Sequence, residues 1–227
     1  MTDVPSTTCS TTFRMPALPE TAFQLKGGCF CSAIRYTISI PELEARPKIP
    51  NDPKKEIFPP NKVSERLPMI TLDHCTSCRR IGGTIIESWF ICPQAWVQFT
   101  LQNRCATGNP ASASPDDSVK PTMMEYLMPD REMQEKTYLT YFSSSEDVNC
   151  TFCGKCGTHL TYYCSDPPAA IPPSRLHWGP YFDVAGGTLD REFLEMEGYR
   201  PNRYGWAEDG IPWVKRLLRE GERSLIE

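Results

Sequence analysis

Three short cysteine groups, spread along the chain, offer the side chains best suited to chemistry. Two cysteines separated by one or two residues have the usual spacing of zinc ligands, because such a pair can reach one ion together. The central group also has an aspartate and a histidine immediately before its first cysteine. The groups are Cys29/Cys31, Asp73-His74-Cys75/Cys78 and Cys153/Cys156.

The overall cysteine content favours metal binding over disulfide bonds. The chain has 11 cysteines, an odd number, in 227 residues. Disulfide scaffolds are typically shorter secreted chains, and the first 20 residues show no basic segment followed by an apolar one, as a signal peptide would. We therefore expect a cytoplasmic protein whose cysteines are reduced and bind zinc.

The two outer pairs fit a single closed zinc site. Zinc prefers four ligands in a tetrahedron, and two pairs from distant parts of the chain supply them. Four thiolates fill every coordination position, so a zinc ion held by Cys29, Cys31, Cys153 and Cys156 would be structural. Its binding free energy would then stabilise the fold.

The central group is incomplete by comparison, and incomplete sites are where zinc does chemistry. Cys75 and Cys78 supply two ligands, and either Asp73 or His74 can add a third. Three protein ligands leave an open position for water or substrate. If Asp73 does not bind the metal, its carboxylate is free to act as a general base. His74 is otherwise an ordinary core or surface histidine.

Four further residues near these groups have both a functional and a structural interpretation. Arg79 and Arg80 could bind a substrate carboxylate beside a zinc ion, or belong to a solvated face. His159 follows the last cysteine pair closely and could reach the open site, or have a structural role. Cys150 is an alternative ligand near that pair. The candidate catalytic residues are therefore Asp73, Arg79 and His159.

The elements around these groups are mostly predicted strands. Apolar residues alternate with polar ones from Ile34 to Ile40, which indicates a strand with one buried face, and we place Cys29/Cys31 in the same extended pattern. Residues 84–99 predict two strands separated at Pro93. Further strands are predicted at 138–142, 160–164 and 177–184. A helix is predicted from Pro212 to about Leu225, because proline suits a first helical turn and apolar residues follow at helical spacing.

Length and charge limit the organisation and the partners. We expect residues 1–22 to be a loose segment and 23–227 to be one domain, with insertions at about 41–68, which is rich in proline, and 102–137. The formal net charge of -4 disfavours nucleic acid as a partner. No apolar run approaches the length of a membrane span. The expected partner is a small-molecule substrate.

The motifs resemble those of the glutathione-dependent formaldehyde-activating enzymes, whose domain is shared with centromere protein V. That family has G-x-C-x-C, then C-x-C-x-x-C with a basic residue and a glycine, then F-C-x-x-C-G. The resemblance extends from Phe23 to about Leu218. It rests on Gly28-Cys29-Phe30-Cys31, Asp73-His74-Cys75-Thr76-Ser77-Cys78-Arg79 and Phe152-Cys153-Gly154-Lys155-Cys156-Gly157, with Gly187-Thr188-Leu189-Asp190, Trp206 and Pro212-Trp213 near the end. In the first of these the match is shifted, because the glycine lies immediately before the first cysteine.

The resemblance implies a mainly β fold of the β-tent type, with sheets held by zinc, to which the helix predicted from Pro212 would be added at the C-terminal end. It implies one structural zinc at the outer pairs and a second, labile zinc at the central motif. At that second site the family's enzymes, which are carbon-sulfur lyases, join glutathione to formaldehyde to form S-(hydroxymethyl)glutathione. Glutathione is thereby implied as a co-substrate.

One departure from the family pattern changes the expected chemistry. Asp73 stands where the family has the first cysteine of its central motif. A carboxylate donates less electron density than a thiolate, so zinc would be a stronger Lewis acid. This favours acting on a carbonyl or hydroxyl group over exchanging a glutathione thiol. We therefore expect a zinc-dependent lyase-type enzyme or diverged dehydratase. One alternative is a non-catalytic zinc-stapled binding module. Another is a chromatin-associated role, which the acidic net charge disfavours.

Overall fold

The computed structural model of the chain describes residues 17–49, 56–57, 65–104, 118–165, 179–201 and 203–223. These residues form twelve strands and five α-helices, so the protein is mainly β, as predicted. The strands are β1 (Phe23–Gly28), β2 (Ile34–Ile40), β3 (Glu56–Ile57), β4 (Met69–Asp73), β5 (Glu87–Pro93), β6 (Val97–Gln102), β7 (Ser118–Val119), β8 (Leu139–Ser145), β9 (Val148–Cys153), β10 (His159–Cys164), β11 (Tyr181–Ala185) and β12 (Arg203–Gly205). The helices are α1 (Thr76–Gly82), α2 (Met123–Leu127), α3 (Arg131–Lys136), α4 (Arg191–Leu194) and α5 (Pro212–Arg223).

The strands form two sheets of unequal size. The small sheet has four antiparallel strands in the order β1-β2-β6-β7. The large sheet has eight strands in the order β3-β12-β4-β5-β11-β10-β9-β8, and only β12 and β4 run parallel in it. Sequence neighbours β4 and β5 pair directly, whereas β10 reaches β5 only through β11. Distant segments therefore meet on the faces of the large sheet.

The main hydrophobic core lies between the two sheets. It contains Leu25, Tyr36 and Phe99 from the small sheet and Phe90 and Val184 from the large one. A second, smaller cluster covers the opposite face of the large sheet, and we call this the outer face. Its buried members are Leu67, Met69, Trp89, Ile91 and Ala185.

Strand β5 is buried on both faces, which explains its continuous apolar sequence. Successive side chains of a strand point to opposite sides. Phe90 and Cys92 therefore join the main core, while Trp89 and Ile91 join the outer face. The same alternation places Glu87 on the outer face with Trp89.

Several predicted elements are confirmed. Strand β2 spans Ile34–Ile40, the chain turns between β5 and β6 after Pro93, and α5 begins at Pro212. Strands β8, β10 and β11 overlap the predicted segments at 138–142, 160–164 and 177–184, of which residues 177 and 178 lie outside the described part of the chain. None of the described helices is long and apolar enough to cross a membrane.

The structure corrects the position of the first cysteine pair. Cys29 and Cys31 were expected within the extended strand pattern, but they lie in the turn that joins β1 to β2. Ser32 has a positive φ of 61°, and its N–H donates to the carbonyl of Cys29 at 3.0 Å. The turn curls the two thiols together, which an extended strand would not do.

The segments predicted as loose or inserted are partly described. Residues 1–16 lie outside the described part of the chain, but the backbone N–H of Leu43 donates to the Glu20 carbonyl at 2.7 Å. The insertion at 41–68 contributes β3, which pairs with β12 at the edge of the large sheet. The insertion at 102–137 contributes β7, α2 and α3.

Candidate metal centre and adjoining polar face

The first thiol pair is held by the turn between β1 and β2. The N–H of Cys29 donates to the Ile34 carbonyl at 2.9 Å, and the N–H of Ile34 donates to the Cys29 sulfur at 3.2 Å. Backbone N–H groups that point at a sulfur stabilise its thiolate form, which is the form that binds metal. The two sulfur atoms of Cys29 and Cys31 are 3.6 Å apart.

The second pair lies in the turn between β9 and β10. The N–H of Gly157 donates to the Cys153 carbonyl at 2.7 Å, and the N–H of Cys153 donates to the Thr158 carbonyl at 2.9 Å. Gly157 has a φ of +76°, a conformation that favours glycine at this turn. Burial alone would raise the pKa of Cys156, but hydrogen bonds, first among them those with Thr158, lower it to about 6.

The four sulfur atoms converge on one point between the two turns. All of them lie within 4.8 Å of one another, and those of Cys31 and Cys153 are 3.6 Å apart. An ideal tetrahedron with zinc–sulfur bonds of about 2.3 Å places its sulfurs about 3.8 Å apart. The separation is far too long for a disulfide, whose S–S bond is about 2.05 Å. These cysteines are positioned to hold a metal ion such as zinc.

The group of four is distinct from the rest of the described chain. Among residues 17–49, 56–57, 65–104, 118–165, 179–201 and 203–223, it is the one set of three or more candidate ligands whose donor atoms all lie within 4.8 Å of one another. Cys150, the alternative ligand, is completely buried and lies outside it. A backbone hydrogen bond of 3.2 Å from Phe30 to the Thr158 hydroxyl also joins the two turns.

The central motif lies where β4 ends and α1 begins. Asp73 is the last residue of β4, and its Oδ1 accepts a 3.0 Å hydrogen bond from the N–H of Cys75. Cys78 lies one helical turn further on, partly buried against the outer face. Burial first, and then the nearby Asp73 and Cys75, raise the pKa of the Cys78 thiol. The motif thus gathers two thiols and a carboxylate, in a looser arrangement than the group of four.

The other polar residues of the motif point in different directions. His74 is buried and packs edge-on against Tyr204, with ring centres 5.6 Å apart. Arg79 is half-buried on α1, and Arg80 is exposed. Helix α1 ends at Gly82 and is capped by Gly83, whose left-handed conformation (φ 65°) lets its N–H donate to the Arg79 carbonyl.

His159 lies on the outer face, beside a glutamate that the sequence did not indicate. Its Nδ1 is 3.9 Å from Oε2 of Glu87, and the two side chains are only 6% and 8% exposed. Burial lowers the pKa of His159 to about 4. Burial, with a smaller contribution from the charge of Asp73, raises the pKa of Glu87 to about 7. We call these two residues the Glu87–His159 pair.

Aromatic rings enclose this pair. The imidazole of His159 stacks on Phe152 at 4.7 Å between ring centres and meets Trp89 edge-on at 5.4 Å. Glu87 lies directly across from Asp73 in the β4–β5 ladder, so the pair adjoins the central motif. Gly82 of α1 covers Glu87 so closely that a Cβ there would lie 1.9 Å from Oε2.

The structure therefore brings Asp73, His159 and the two central cysteines to one side of the large sheet. Glu87 was missed because its position at the start of an apolar strand says nothing about what covers it. The signal that could have found it is the β-strand alternation, which puts residue 87 on the same face as Trp89.

No protein-family model matches the chain, and no curated protein matches it significantly.

Proposed function

We propose that this protein is a divergent member of the glutathione-dependent formaldehyde-activating family, with the β-tent fold. We propose further that it is a cytoplasmic, zinc-dependent lyase-type enzyme acting on a small carbonyl- or hydroxyl-bearing molecule. In this proposal Cys29, Cys31, Cys153 and Cys156 bind a structural zinc. Reaction takes place on the outer face, beside Asp73, Cys75 and Cys78.

The observation that carries the proposal is that the group of four cysteines and the central motif are two separate sets of possible metal ligands. The four cysteines make a complete set for one zinc ion and leave no position for a substrate. The central motif gathers metal-binding side chains again, next to a buried carboxyl and imidazole with shifted pKa values. Shifted pKa values beside possible ligands are typical of catalytic sites.

Thiolates and carboxylates are donors that zinc accepts, so the central motif has suitable chemistry for a second ion. A zinc ion there would polarise a carbonyl oxygen or lower the pKa of a bound water. Asp73, Cys75 and Cys78 do not form a tight group like the outer cysteines. The second zinc therefore stays a prediction, and Asp73 is either a ligand or a base.

Counting zinc tests the assignment of the two sites. We expect two zinc ions per chain in the wild type and one in Asp73→Ala, measured by elemental analysis of the purified protein. The control is Asp147→Ala, which removes a partly buried carboxylate from the turn between β8 and β9. Asp147→Ala should retain both ions.

Turnover is measured separately, first with formaldehyde and glutathione and then with aldehydes in the absence of any thiol. Because Asp73 stands in place of a cysteine, we expect turnover of the aldehydes to depend less on glutathione than turnover of formaldehyde does. Two zinc ions without turnover of any aldehyde would contradict the lyase proposal while leaving the second site intact.

One observation favours the alternative of a non-catalytic zinc-stapled module. Phe30 lies between two of the metal ligands and is 93% exposed, an unusual position for a large apolar side chain. A single zinc in both the wild type and Asp73→Ala, with no turnover, would favour this alternative. Phe30 would then be the first residue to test as a contact for a partner.

A further inference from the structure

His159 lacks the hydrogen bonds that buried polar groups normally make, whereas Glu87 accepts one, at 3.2 Å, from the backbone N–H of Ser88. Neither ring nitrogen of His159 has a hydrogen-bond partner, although both are inaccessible to solvent. A buried polar atom without a partner costs about 1–3 kcal/mol. The ring is fixed instead by its packing on Phe152 and Trp89. Such a group is oriented for a partner that comes from outside the chain.

The distance between the two side chains suggests the size of that partner. At 3.9 Å, His159 Nδ1 and Glu87 Oε2 are too far apart to bond directly. A single oxygen atom about 2.8 Å from each would bridge them at an angle of about 90°, within the range that hydrogen bonds allow. Both ring nitrogens are closed to solvent in this structure, so the surrounding side chains must move to admit the bridging oxygen, and only a small molecule can enter.

The charges nearby indicate what kind of oxygen would bind. Asp73 lies across from Glu87 on the adjacent strand, and Asp183 lies on the same face two residues from Ala185. An anionic ligand would be repelled by these carboxylates. A neutral imidazole has one donor and one acceptor nitrogen, and a carboxyl group can accept or donate. A hydroxyl group, which also does both, complements the pair.

We propose that Glu87 and His159 bind the hydroxyl of a small uncharged molecule, or a water, and add it across a carbonyl group. This site rests on the proposed function, because it names the substrate class and the acid–base residues for that reaction. In the step, the O–H proton moves to the Glu87 carboxylate while the oxygen forms the new C–O bond. The carbonyl π electrons move to the carbonyl oxygen, and the imidazole N–H, which first donates to the hydroxyl oxygen, shifts its hydrogen bond to this oxygen. Glu87 then returns the proton to that oxygen.

The reverse sequence eliminates water or an alcohol, so one pair of residues serves both directions. No oxidant or reductant is consumed.

The reversible hydration of acetaldehyde tests this proposal with a small, uncharged probe. Proton NMR saturation transfer between acetaldehyde and its hydrate gives the exchange rate, in dilute buffer, with the zinc-loaded full chain. We expect the wild type to accelerate the exchange. Glu87→Gln should lower the protein-dependent rate by about 10²-fold or more, the usual contribution of a general base. His159→Gln should lower it by about 10²-fold through loss of the oxyanion's hydrogen bond.

The matched control is Glu135→Gln, an exposed carboxylate on α3, which should leave the rate unchanged. Zinc content is measured on each variant. A wild type that does not accelerate exchange, or a Glu87→Gln variant with full zinc and an unchanged rate, would overturn the proposal. Loss of zinc from a folded Glu87→Gln would overturn it too, because Glu87 would then be a metal ligand.

If Glu87→Gln does not fold, Glu87→Asp decides, since it keeps the carboxylate but withdraws it by one methylene. A lowered exchange rate with retained zinc supports the proposal, and an unchanged rate overturns it. The zinc count of Asp73→Ala, described above, reports on the proposed function separately from these rates. Failure of the second zinc site and failure of the Glu87–His159 pair therefore give different results.

Discussion

Replacing Cys153 by alanine tests whether a metal ion stabilises the fold through the four outer thiols. Cys153 is completely buried and its sulfur lies 3.6 Å from that of Cys31. Cys92 is an equally buried cysteine outside the group, in the main core. Cys92→Ala therefore serves as the matched control, because it removes the same atoms from a similarly enclosed position.

The two variants should differ by the free energy of metal binding. Removing a small buried side chain costs about 1 kcal/mol in either position. At a free zinc concentration about 1,000 times the dissociation constant, binding adds about 4 kcal/mol to the unfolding free energy. For a chain of this size, 1 kcal/mol changes the Tm by about 2–4 °C. We expect Cys92→Ala to lower the Tm by about 2–4 °C and Cys153→Ala by about 10–20 °C.

Thermal unfolding followed by circular dichroism, with buffered zinc or with a chelator, measures these shifts. In chelator, the wild type and Cys92→Ala should lose most of the increase in Tm that zinc gives them, whereas the Tm of Cys153→Ala should change little. Elemental analysis should find one zinc fewer in Cys153→Ala only. A wild-type Tm that is the same in zinc and in chelator would refute the reasoning. So would equal loss of zinc from both variants.

Three further changes test the outer face and the helix ends. The folded-state pKa of Glu87 is raised from 4.5 to about 7, so protonated Glu87 stabilises the folded protein fully below pH 4.5, and this stabilisation is lost as the pH rises through about 7. Glu87→Gln cannot lose it. In urea unfolding, the free energy of unfolding of Glu87→Gln should therefore rise relative to that of the wild type by up to about 3 kcal/mol between about pH 4.5 and pH 8, and an equal difference at both pH values would contradict this. Gly82→Ala should displace the Glu87 carboxylate and lower acetaldehyde exchange without loss of zinc, whereas Gly221→Ala, where a Cβ meets nothing within 4 Å, should leave the exchange rate unchanged. Thr122→Ala removes the capping box of α2 and should cost about 1 kcal/mol in urea unfolding, with Thr122→Ser costing less; equal losses would argue against the cap.

The group of Cys29, Cys31, Cys153 and Cys156 could be predicted from the sequence because its signal is local. Zinc geometry requires ligands at short spacings, so each cysteine pair is visible without knowing the fold. Strand β2 was predictable for a similar reason, since its alternation directly reflects one buried face. The turn that holds Cys29 and Cys31 was not, because its curvature depends on the conformation of Ser32.

The Glu87–His159 pair depended on information that no short stretch contains. Glu87 is buried because α1 covers it, and the sequence of α1 has no apolar periodicity from which the helix could be predicted. His159 was a candidate, but its partner comes from β5, two strands away in the sheet. That strand order is a property of the whole fold. From the sequence alone, a charged residue that begins an apolar strand therefore gives no sign that it is buried.

The distance along the chain between the two cysteine pairs also affects how the protein is made. Cys31 and Cys153, adjacent in the folded protein, are 122 positions apart in the sequence. At about 5–20 residues per second, a ribosome needs on the order of 6–24 s to synthesise that interval. During this time the emerging chain presents two reduced thiols that can hold zinc only weakly. A metal ion that needs all four thiols can therefore be bound completely only after Cys156 has been synthesised.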